Sequence, residues 1–432
     1  MIQTPGRRPV RLLDGVTVAL LGEVVPEVAS GFWLRLMALA GAAATGFVVV
    51  SGTLGGTRSH ELWVAIALPP LVAMCVAGVL ARRRLLWPSI AALGLVLVGA
   101  ASGRAFQMWG RPAWLSDLHL VIAALAFAAT AVTAVMTFMD GEAVTPPSWR
   151  DYVTLTKPRI MVLLLITCVG AMFVGDPHVG PLRVLLTVIG GALASGGASA
   201  FNHLLDRDID RLMGGRTSSR PVASGRVAPA RALEFGLALS AFSFVLLAGT
   251  VNLLAAALAL LGNLLYVVVY TRWLKRSTDQ NIVIGGAAGA VPPLVGYAAA
   301  TGHLDATALA LFGIIFFWTP PHFWALALLI RRHYAAAGVP MLPVIQGEAQ
   351  TARQVWRYSV VLVAVTLVPL AWHAFGATYL AASASLGAVF LALAWELRRQ
   401  VSPRRARFLF QYSLVYLALL FTAMAADRWL GG

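Results

Sequence analysis

One stretch decides the fold of this chain: residues 182–204 read LRVLLTVIGGALASGGASAFNHL, and residues 205–211 continue as LDRDIDR. The first part is largely apolar, and its length suits the ~20 residues that a helix needs to cross a bilayer. The second part brings three carboxylates to the end of this run. Charged groups at the edge of a membrane helix are costly to place and tend to mark a site. The stretch therefore predicts a membrane helix that ends in a functional polar cluster.

Similar apolar runs recur along the whole chain, which has 432 residues and is 59% hydrophobic. Four lie in the first third, at residues 32–50, 62–81, 88–106 and 118–139. Nine follow, at residues 160–175, 182–204, 230–249, 252–270, 282–301, 306–330, 357–376, 378–397 and 408–428. These are continuous blocks, unlike the short alternating strands of a membrane barrel, and a water-soluble chain would not carry so many. The sequence predicts an all-α integral membrane protein with about thirteen spans.

A polar segment separates two sets of spans. Residues 140–159 include Pro146, Pro147 and several charges, which is a composition typical of a linker. We therefore expect two domains. Residues 1–145 form an N-terminal four-span membrane unit of unknown role, and residues 146–432 form a second domain with the other nine helices.

The net charge is +15, and the basic residues occupy alternate loops between the spans. By the positive-inside rule, these loops are expected in the cytoplasm, and we place the chain in the plasma (inner) membrane. No nucleic-acid partner is expected, because the basic residues form no single long polar face. No signal peptide is expected either, since Glu23 and Glu27 interrupt the N-terminal pattern. Cys75 and Cys168 lie in apolar runs and are interpreted as packing residues.

The polar cluster has a spacing that suits a metal site. Asn202, Asp206 and Asp210 are four residues apart, so they lie on one face if the helix continues through them. Mg²⁺ takes one or two protein carboxylates and fills its other positions with water and phosphate oxygens. Arg216 and Arg220 follow, and their planar charged groups suit a diphosphate. The cluster therefore predicts a site for a metal ion and a diphosphate.

The same cluster has a purely structural alternative. In it, Asp206, Asp208 and Asp210 pair with Arg207 and Arg211 at a salt-bridged helix end. The alternation of signs makes this the preferred interpretation for Asp208 alone.

At these residues the chain resembles a known family. The run Asn-x-x-x-Asp-x-x-x-Asp is similar to the first aspartate motif of the UbiA-type intramembrane prenyltransferases, and its wider wording resembles their protoheme IX farnesyltransferase, or heme O synthase, branch. The segments that carry the resemblance are Leu155–Arg159, Asn202–Asp210, Arg216–Pro221, Leu274–Arg276, Asn281–Gly286, Trp318–Ala327 and Gly338–Pro343. They fall within residues 150–428, about two thirds of the chain.

The resemblance implies a bundle of nine helices around a central cavity, preceded here by about four further membrane helices. It implies Mg²⁺ held by Asn202, Asp206 and Asp210, with farnesyl diphosphate and heme b as substrates. The farnesyl group is then added to a vinyl group of heme b, and water enters, to give heme O for terminal oxidases. The lipid bilayer and heme A synthase are the further partners that it implies.

Four more residues are expected at the diphosphate. Lys157 precedes one span, and Tyr270, Lys275 and Arg276 end another. An equally open alternative for the last three is a plain cytoplasmic anchor of the span.

The segment Trp318–Ala327 is expected to meet the heme. Its Pro320-Pro321 pair predicts a break or kink in mid-helix, with His322 at the kink. We take His322 as a catalytic or heme-contacting residue, with a structural hydrogen bond as the alternative. The residues expected at the heme are His322, Trp318, Trp324, Arg331, Arg332 and Tyr334.

Two other functions stay open at this point. One is prenylation of an aromatic quinone precursor, but no Asp-x-x-x-Asp occurs between Trp318 and Tyr334, which argues against the second metal site of such enzymes. The other is a heme-handling transporter, because proline-broken helices and basic loops also occur there.

The first unit carries two histidines that bear on its role. His60 in a loop and His119 at the start of the fourth span faintly resemble half of a heme A synthase. His60 precedes Glu61 instead of following a glutamate by a helical turn, and no second half is present in the sequence. An accessory bundle without catalysis is therefore the preferred interpretation.

Overall fold

The computed structural model describes residues 31–53, 57–80, 83–108, 113–137 and 147–431, and every regular element among them is helical. The chain divides into two compact units after Asp140. Eleven helices in the described residues are long and apolar enough to cross a membrane, and two further helices contain shorter apolar stretches. The predicted all-α membrane architecture is confirmed.

The first unit contains four helices in its described residues: α1 Gly31–Thr53, α2 Thr57–Leu80, α3 Arg83–Met108 and α4 Ala113–Met136. Each helix packs on the next, and α4 returns to α1, which closes a four-helix bundle. Apolar side chains such as Leu34, Met74 and Leu85 fill its core. His60 lies on α2, but its side chain falls outside the described part of the chain.

His119 lies on α4, where its Nδ1 is 2.8 Å from the Ser102 hydroxyl. The cavity beside it measures about 20 Å³. That is about the space that one water molecule needs, so this cavity is too small for a porphyrin.

The second unit contains nine long spans and several short helical pieces. The described helices are α5 Trp149–Thr156, α6 Pro158–Gly175, α7 Pro181–Leu205, α8 Arg207–Leu212, α9 Pro229–Thr250, α10 Leu253–Leu264, α11 Lys275–Ser277, α12 Asn281–Thr301, α13 Ala306–Ala336, α14 Leu342–Ile345, α15 Gly347–Leu367, α16 Ala377–Arg399 and α17 Pro403–Gly431. A π-helical segment, Leu265–Leu274, joins α10 to α11 into one span. Short 3₁₀ turns lie at Gly214–Arg216 and Val368–Trp372.

The nine spans are arranged in a ring. Helices α6, α7, α9, α10, α12, α13, α15, α16 and α17 pack in that order, and α17 returns to α6. Two of them, α12 and α13, have 61% and 67% of their span buried, against 22–44% for the others in this unit. The packed centre of the unit therefore lies along α12 and α13.

Glycine allows the closest helix contact in this centre. A Cβ on Gly296 of α12 would overlap the carbonyl group of Cys168 on α6. Lipid supplies no hydrophobic driving force between membrane helices, so their association depends on close van der Waals packing. Small residues allow the backbones to approach closely enough for this packing. Cys168 is buried and unpaired, in agreement with the packing role expected from the sequence.

The predicted kink at Pro320-Pro321 is wrong in position. Helix α13 keeps helical backbone angles through both prolines and leaves them at Ile330, where φ is −121° and ψ is 21°. Membrane helices tolerate proline when neighbouring groups take up the freed carbonyls. The prolines leave the carbonyls of Phe316 and Phe317 without their usual amide donors, and the Thr319 hydroxyl donates to the neighbouring carbonyl of Ile315 at 2.8 Å. His322 therefore lies within a regular helix and not at a kink.

Candidate active site

The aspartate cluster lies where α7 passes into α8. Asp206 leaves helical geometry, with φ −90° and ψ 3°, between the two helices. Two backbone hydrogen bonds continue the four-residue spacing across this joint. The Asp206 amide donates to the Asn202 carbonyl at 2.9 Å, and the Asp210 amide donates to the Asp206 carbonyl at 2.8 Å. All three side chains are buried, at 3%, 0% and 1% exposure for Asn202, Asp206 and Asp210. The stretch thus keeps its three polar groups together despite a one-residue interruption of the helix.

Three cations reach this cluster from different parts of the chain. Lys275 Nζ donates to Asp206 Oδ2 at 2.5 Å, and Arg220 donates to Asp210 Oδ1 at 2.7 Å. Lys157 Nζ donates to Asn202 Oδ1 at 2.5 Å. Each of these residues was expected at the diphosphate, and the structure brings two of them to the aspartates and Lys157 to Asn202 beside them.

Each aspartate keeps one unused oxygen. Asp206 Oδ1 and Asp210 Oδ2 are buried and have no hydrogen-bond partner. Buried carboxylate oxygens are normally satisfied, so these two point to a cation or water that belongs in the site. The described residues contain no group of three His, Cys, Asp or Glu that would hold a metal alone. Two carboxylates that leave positions for water and phosphate match the preference of Mg²⁺, so the residues fit that ion.

Asn202 acts as a bridge in this arrangement. Its amide nitrogen donates to Asp206 Oδ2 at 2.8 Å and to the Thr271 hydroxyl at 3.1 Å, while its oxygen accepts from Lys157. The carbonyl oxygen of Asn202 is thus occupied by a lysine. Of the three residues of this motif, the two aspartates are the ones that offer unused oxygens.

Burial changes the acid–base behaviour of the site. It raises the pKa of Asp210 above its usual value, although Arg220 opposes this. Burial, together with the nearby positive charge of Arg220, lowers the pKa of Lys157 to about 7. Both shifts have the same cause, which is removal of charged groups from water. A ligand that balances the charges of the cluster would therefore stabilise its charged groups.

Lys157 has an unusual backbone. Its φ of 49° and ψ of 58° are left-handed, and it sits between α5 and α6, directly before Pro158. A non-glycine residue in this region costs about 1–2 kcal/mol, and such strain is often found at functional positions. Asp151 on α5 anchors the neighbouring loop through a 2.9 Å bond to Arg226. This ion pair fixes α5, the helix that leads into the strained joint.

The π-helical segment determines which of its side chains share one face of this span. It widens the turn to about 4.4 residues through i to i+5 bonds, so Tyr266 and Lys275, nine residues apart, lie on nearly the same face. In an α-helix of 3.6 residues per turn, they would face opposite ways. Tyr266 and Tyr270 stack with ring centres 5.6 Å apart, and both interact electrostatically with Asp206. The segment therefore presents two aromatic rings and a lysine to the aspartates.

The salt-bridged alternative for the helix end is wrong in its pairing. Arg207 donates to the carbonyl of Leu204, and Arg211 donates to the carbonyl of Ala223. Asp208 instead binds Arg276, with two contacts of 2.7 Å at the surface. These contacts lower the pKa of Asp208. Asp208 has the structural role expected for it, and Arg276 is engaged away from the buried oxygens.

The loop that carries Arg216 and Arg220 packs against α8, next to the cluster. The Thr217 hydroxyl donates to the carbonyl of Asp210 at 2.8 Å, which holds the loop against α8. The Arg216 backbone lies in the 3₁₀ turn, but its side chain falls outside the described part of the chain. Its expected contact with diphosphate stays a prediction.

The residues expected at the heme are mostly packed into the core. His322 lies between the rings of Trp318 and Phe410, at 4.2 and 4.7 Å, and its Nδ1 is 2.6 Å from the Ser413 hydroxyl. Trp318 donates to the Ser413 carbonyl at 2.8 Å. His322 therefore makes the structural hydrogen bond that the sequence left as the alternative.

The other expected heme residues divide between core and surface. Trp324 is 1% exposed and meets Tyr358 edge to face. Arg331 pairs with Glu348 at 2.6 Å, and Arg332 is exposed. Tyr334 lies within electrostatic range of Tyr266 and Tyr270, the two stacked tyrosines of the π-helical segment.

Sequence reasoning missed three polar residues of the site: Ser199, His203 and Thr271. Each is buried, at 6%, 1% and 0% exposure. The helical period offered a signal, because Ser199 and His203 share the face of Asp206 and Thr271 lies one turn before Lys275.

Comparison with known proteins gives concordant results. The model of the UbiA prenyltransferase family matches residues 163–420. A protoheme IX farnesyltransferase of Gloeobacter violaceus is 55% identical over 280 residues, which cover 64% of this chain and 92% of that relative. A protoheme IX farnesyltransferase of Chloroflexus aurantiacus is 43% identical over 394 residues, 89% of this chain, so the match extends into the first unit. The chain spans 65% of that longer relative.

The fold itself recurs in a solved structure. That structure, of a digeranylgeranylglyceryl phosphate synthase, aligns with a TM-score of 0.55 and 18% identity over 65% of this chain and 98% of the other. At this identity the likeness concerns the fold alone. With a family match that covers more than half of the chain, and a relative of high identity aligned over most of its length, the chain belongs to the UbiA prenyltransferase family.

Proposed function

We propose that the chain transfers the farnesyl group of farnesyl diphosphate to a vinyl group of heme b and so makes heme O. The observation that carries this proposal is the pair of buried aspartates with unused oxygens, surrounded by Lys157, Lys275 and Arg220. The high identity to a relative named protoheme IX farnesyltransferase supports the choice of substrates.

The reaction balances without an oxidant or reductant. The C1–O bond of farnesyl diphosphate breaks, and its electron pair leaves with diphosphate. The vinyl π electrons of heme b form the new bond to C1, which leaves a cation on the carbon next to the pyrrole ring. The oxygen of water adds to this cation, and one proton of that water passes to the departing diphosphate.

The residues of the site would have different roles in this reaction. Asp206 and Asp210 would hold Mg²⁺, which supplies charge stabilisation to the leaving diphosphate. Lys157, Lys275 and Arg220 would bind the diphosphate oxygens, since a preorganised cation in a water-poor site favours developing negative charge. Their existing contacts with Asn202, Asp206 and Asp210 keep them aligned before substrate arrives.

Aromatic side chains would protect the reactive farnesyl group. Tyr266 and Tyr270 stack beside the aspartates, and their faces suit an allylic chain that carries positive charge. An apolar surrounding also keeps bulk water from capturing that charge before the vinyl group does.

The two units would have different roles. We assign farnesyl transfer to residues 146–432, and an accessory role to residues 1–145. The charge-rich loops would face the cytoplasm from a plasma membrane, and the product would pass to a heme A synthase. The aspartates and cations would serve a quinone-precursor prenyltransferase equally well, so the choice of heme b rests on the identity to a protoheme IX farnesyltransferase. No feature of the described site favours a heme-handling transporter.

The function is tested with the purified full chain in detergent or lipid. Farnesyl diphosphate, heme b and Mg²⁺ are added, and the pigment is analysed by chromatography and mass spectrometry. Heme O and one released diphosphate per product are expected. A parallel reaction offers an aromatic quinone precursor in place of heme b. Prenylation of that precursor without heme O would contradict the proposal, as would substrate binding without diphosphate release.

Removal of divalent metal is expected to stop the reaction. A chelator takes away the ion that completes Asp206 and Asp210, and the leaving diphosphate loses several kcal/mol of stabilisation. Heme O formation should fall at least about a hundredfold with a chelator and return when Mg²⁺ is restored. Full activity in a chelated, metal-free sample, checked by elemental analysis, would exclude the metal.

Two arginines near the site are expected to differ. Arg220→Ala removes a cation from the diphosphate and leaves buried Asp210 without its partner, so kcat/KM should fall about a hundredfold. Arg276→Ala removes a surface pair with Asp208, which is worth about 1 kcal/mol or less, so the fall should stay within about threefold. Steady-state kinetics of both variants measure the difference. Equal losses would place Arg276 at the diphosphate after all.

A further inference from the structure

A row of unused polar atoms continues from the aspartates along α7. The Ser199 hydroxyl and both ring nitrogens of His203 have no hydrogen-bond partner, like Asp206 Oδ1 and Asp210 Oδ2. Ser199 and His203 are 6% and 1% exposed. The cations Lys157 and Arg220 act on the His203 ring as charged neighbours, so this histidine belongs to the same polar site.

The helix places these groups on one face. At 100° per residue, Ser199, His203 and Asp206 fall within about 60° of each other around the axis. At 1.5 Å per residue, His203 and Ser199 lie about 5 and 10 Å further into the membrane than Asp206. The row therefore leads from the diphosphate end of the site toward the apolar interior.

Such atoms need a partner. Buried polar groups without a hydrogen bond cost about 1–3 kcal/mol each, and ordered water commonly satisfies them. A neutral imidazole offers one donor and one acceptor, and a serine hydroxyl offers both. Ser199 and His203, one helical turn apart, thus form a site for a water molecule in a region where water is otherwise scarce.

We propose that Ser199 and His203 hold the water molecule that becomes the hydroxyl group of the product. This inference rests on the proposed function. It assigns these two residues to the second half of the reaction, in which a cation next to the pyrrole ring must be captured.

The level of the row suits that step. Lys275 and Arg220 fix the diphosphate beside Asp206 and Asp210, and farnesyl C1 is one bond away from the diphosphate. The vinyl group must therefore meet C1 on the membrane side of Asp206, at the level of His203 and Ser199. A water held there has its oxygen free to bond to the cation, and its proton passes to the departing diphosphate. No other reactant is required.

The test measures the ratio of two products, so it does not depend on the total amount of product formed. When no water is in place, the cation loses a proton from a neighbouring carbon and yields a product lighter by one water molecule. In His203→Leu and Ser199→Ala, the ratio of hydroxylated to dehydrated product, read by mass spectrometry, is expected to fall about tenfold. His203→Gln keeps a donor and an acceptor and should restore most of the hydroxylated product.

Ser243→Ala serves as the matched control. Ser243 is also buried between α7 and α9, but its hydroxyl already donates to the carbonyl of Gly190 at 2.7 Å. This variant should keep the wild-type product. If His203→Leu and Ser199→Ala also make only hydroxylated product, the inference is overturned. If the wild-type chain makes no farnesylated heme at all, the proposed function itself fails, which is a distinct result.

Discussion

Asp206→Asn is expected to lower the rate of farnesyl transfer about a thousandfold or more, a loss of about 4 kcal/mol in transition-state stabilisation. Asparagine has the same size but carries no charge, so it weakens the metal site and leaves buried Lys275 without its anionic partner. A buried charge that loses its partner is strongly destabilised. The kcat for heme O formation measures the effect.

Asp208→Asn is the matched control for this variant. It makes the same chemical change two residues away, but Asp208 is exposed and pairs with Arg276 at the surface. Exposed pairs contribute about 1 kcal/mol or less, so activity should stay within about threefold of the wild type. A fully active Asp206→Asn enzyme, or two variants of equal activity, would remove Asp206 from the metal site.

Gly296→Ala is expected to destabilise the second unit by about 3 kcal/mol or more. The new methyl group would overlap the backbone carbonyl of Cys168, and backbone cannot move aside as a flexible side chain does. Overpacking of this kind typically costs about 1–3 kcal/mol, and sometimes more. The temperature of unfolding in detergent, followed by loss of monodisperse protein, should fall by several degrees.

Gly289→Ala, on the same helix, provides the comparison. Its added methyl group would have the Thr319 hydroxyl, at 4.0 Å, as its nearest neighbour. Because alanine favours a helix over glycine by about 0.5–1 kcal/mol, this variant should be neutral or slightly more stable. Equal stability of the two variants would show that α12 and α6 can separate without cost.

The spans were predictable because membrane helices follow from the length of apolar runs. The cluster at Asn202, Asp206 and Asp210 was predictable for a related reason, since spacing along one helix fixes which side chains share a face. Both features depend on local sequence.

Lys157, Lys275 and Arg220 were expected near the diphosphate, but which group each one pairs with was not predictable, because packing between separate segments sets the pairing. Lys275 lies 69 residues from Asp206, and Arg276 lies 68 residues from Asp208. Arg207 and Arg211 are nearer in sequence, but their side chains find carbonyl groups instead. The phase of Tyr266 relative to Lys275 also depends on the π-helical segment, which the apolar pattern does not reveal.

The position of the bend in α13 shows a third limit. Proline removes one backbone donor, but the surroundings decide whether the helix bends there. In α13 the departure falls at Ile330, and His322 instead stacks between Trp318 and Phe410. The expected position of His322 at a kink is therefore wrong, and its contact with heme stays a prediction.

Three cations surround two carboxylates in this site, and their charges set the net charge of the substrate that the site can balance. Lys157 has a pKa of about 7, so it is charged in only part of the molecules near neutral pH. When Lys157, Lys275 and Arg220 are all charged and both aspartates are ionised, these five groups carry one surplus positive charge. Farnesyl diphosphate carries about three negative charges near neutral pH, and one Mg²⁺ offsets two of them. Under the proposed function, the magnesium salt of farnesyl diphosphate would bring a single negative charge and would balance the surplus charge of these five groups. This neutrality matters because an uncompensated charge is costly in a site removed from water.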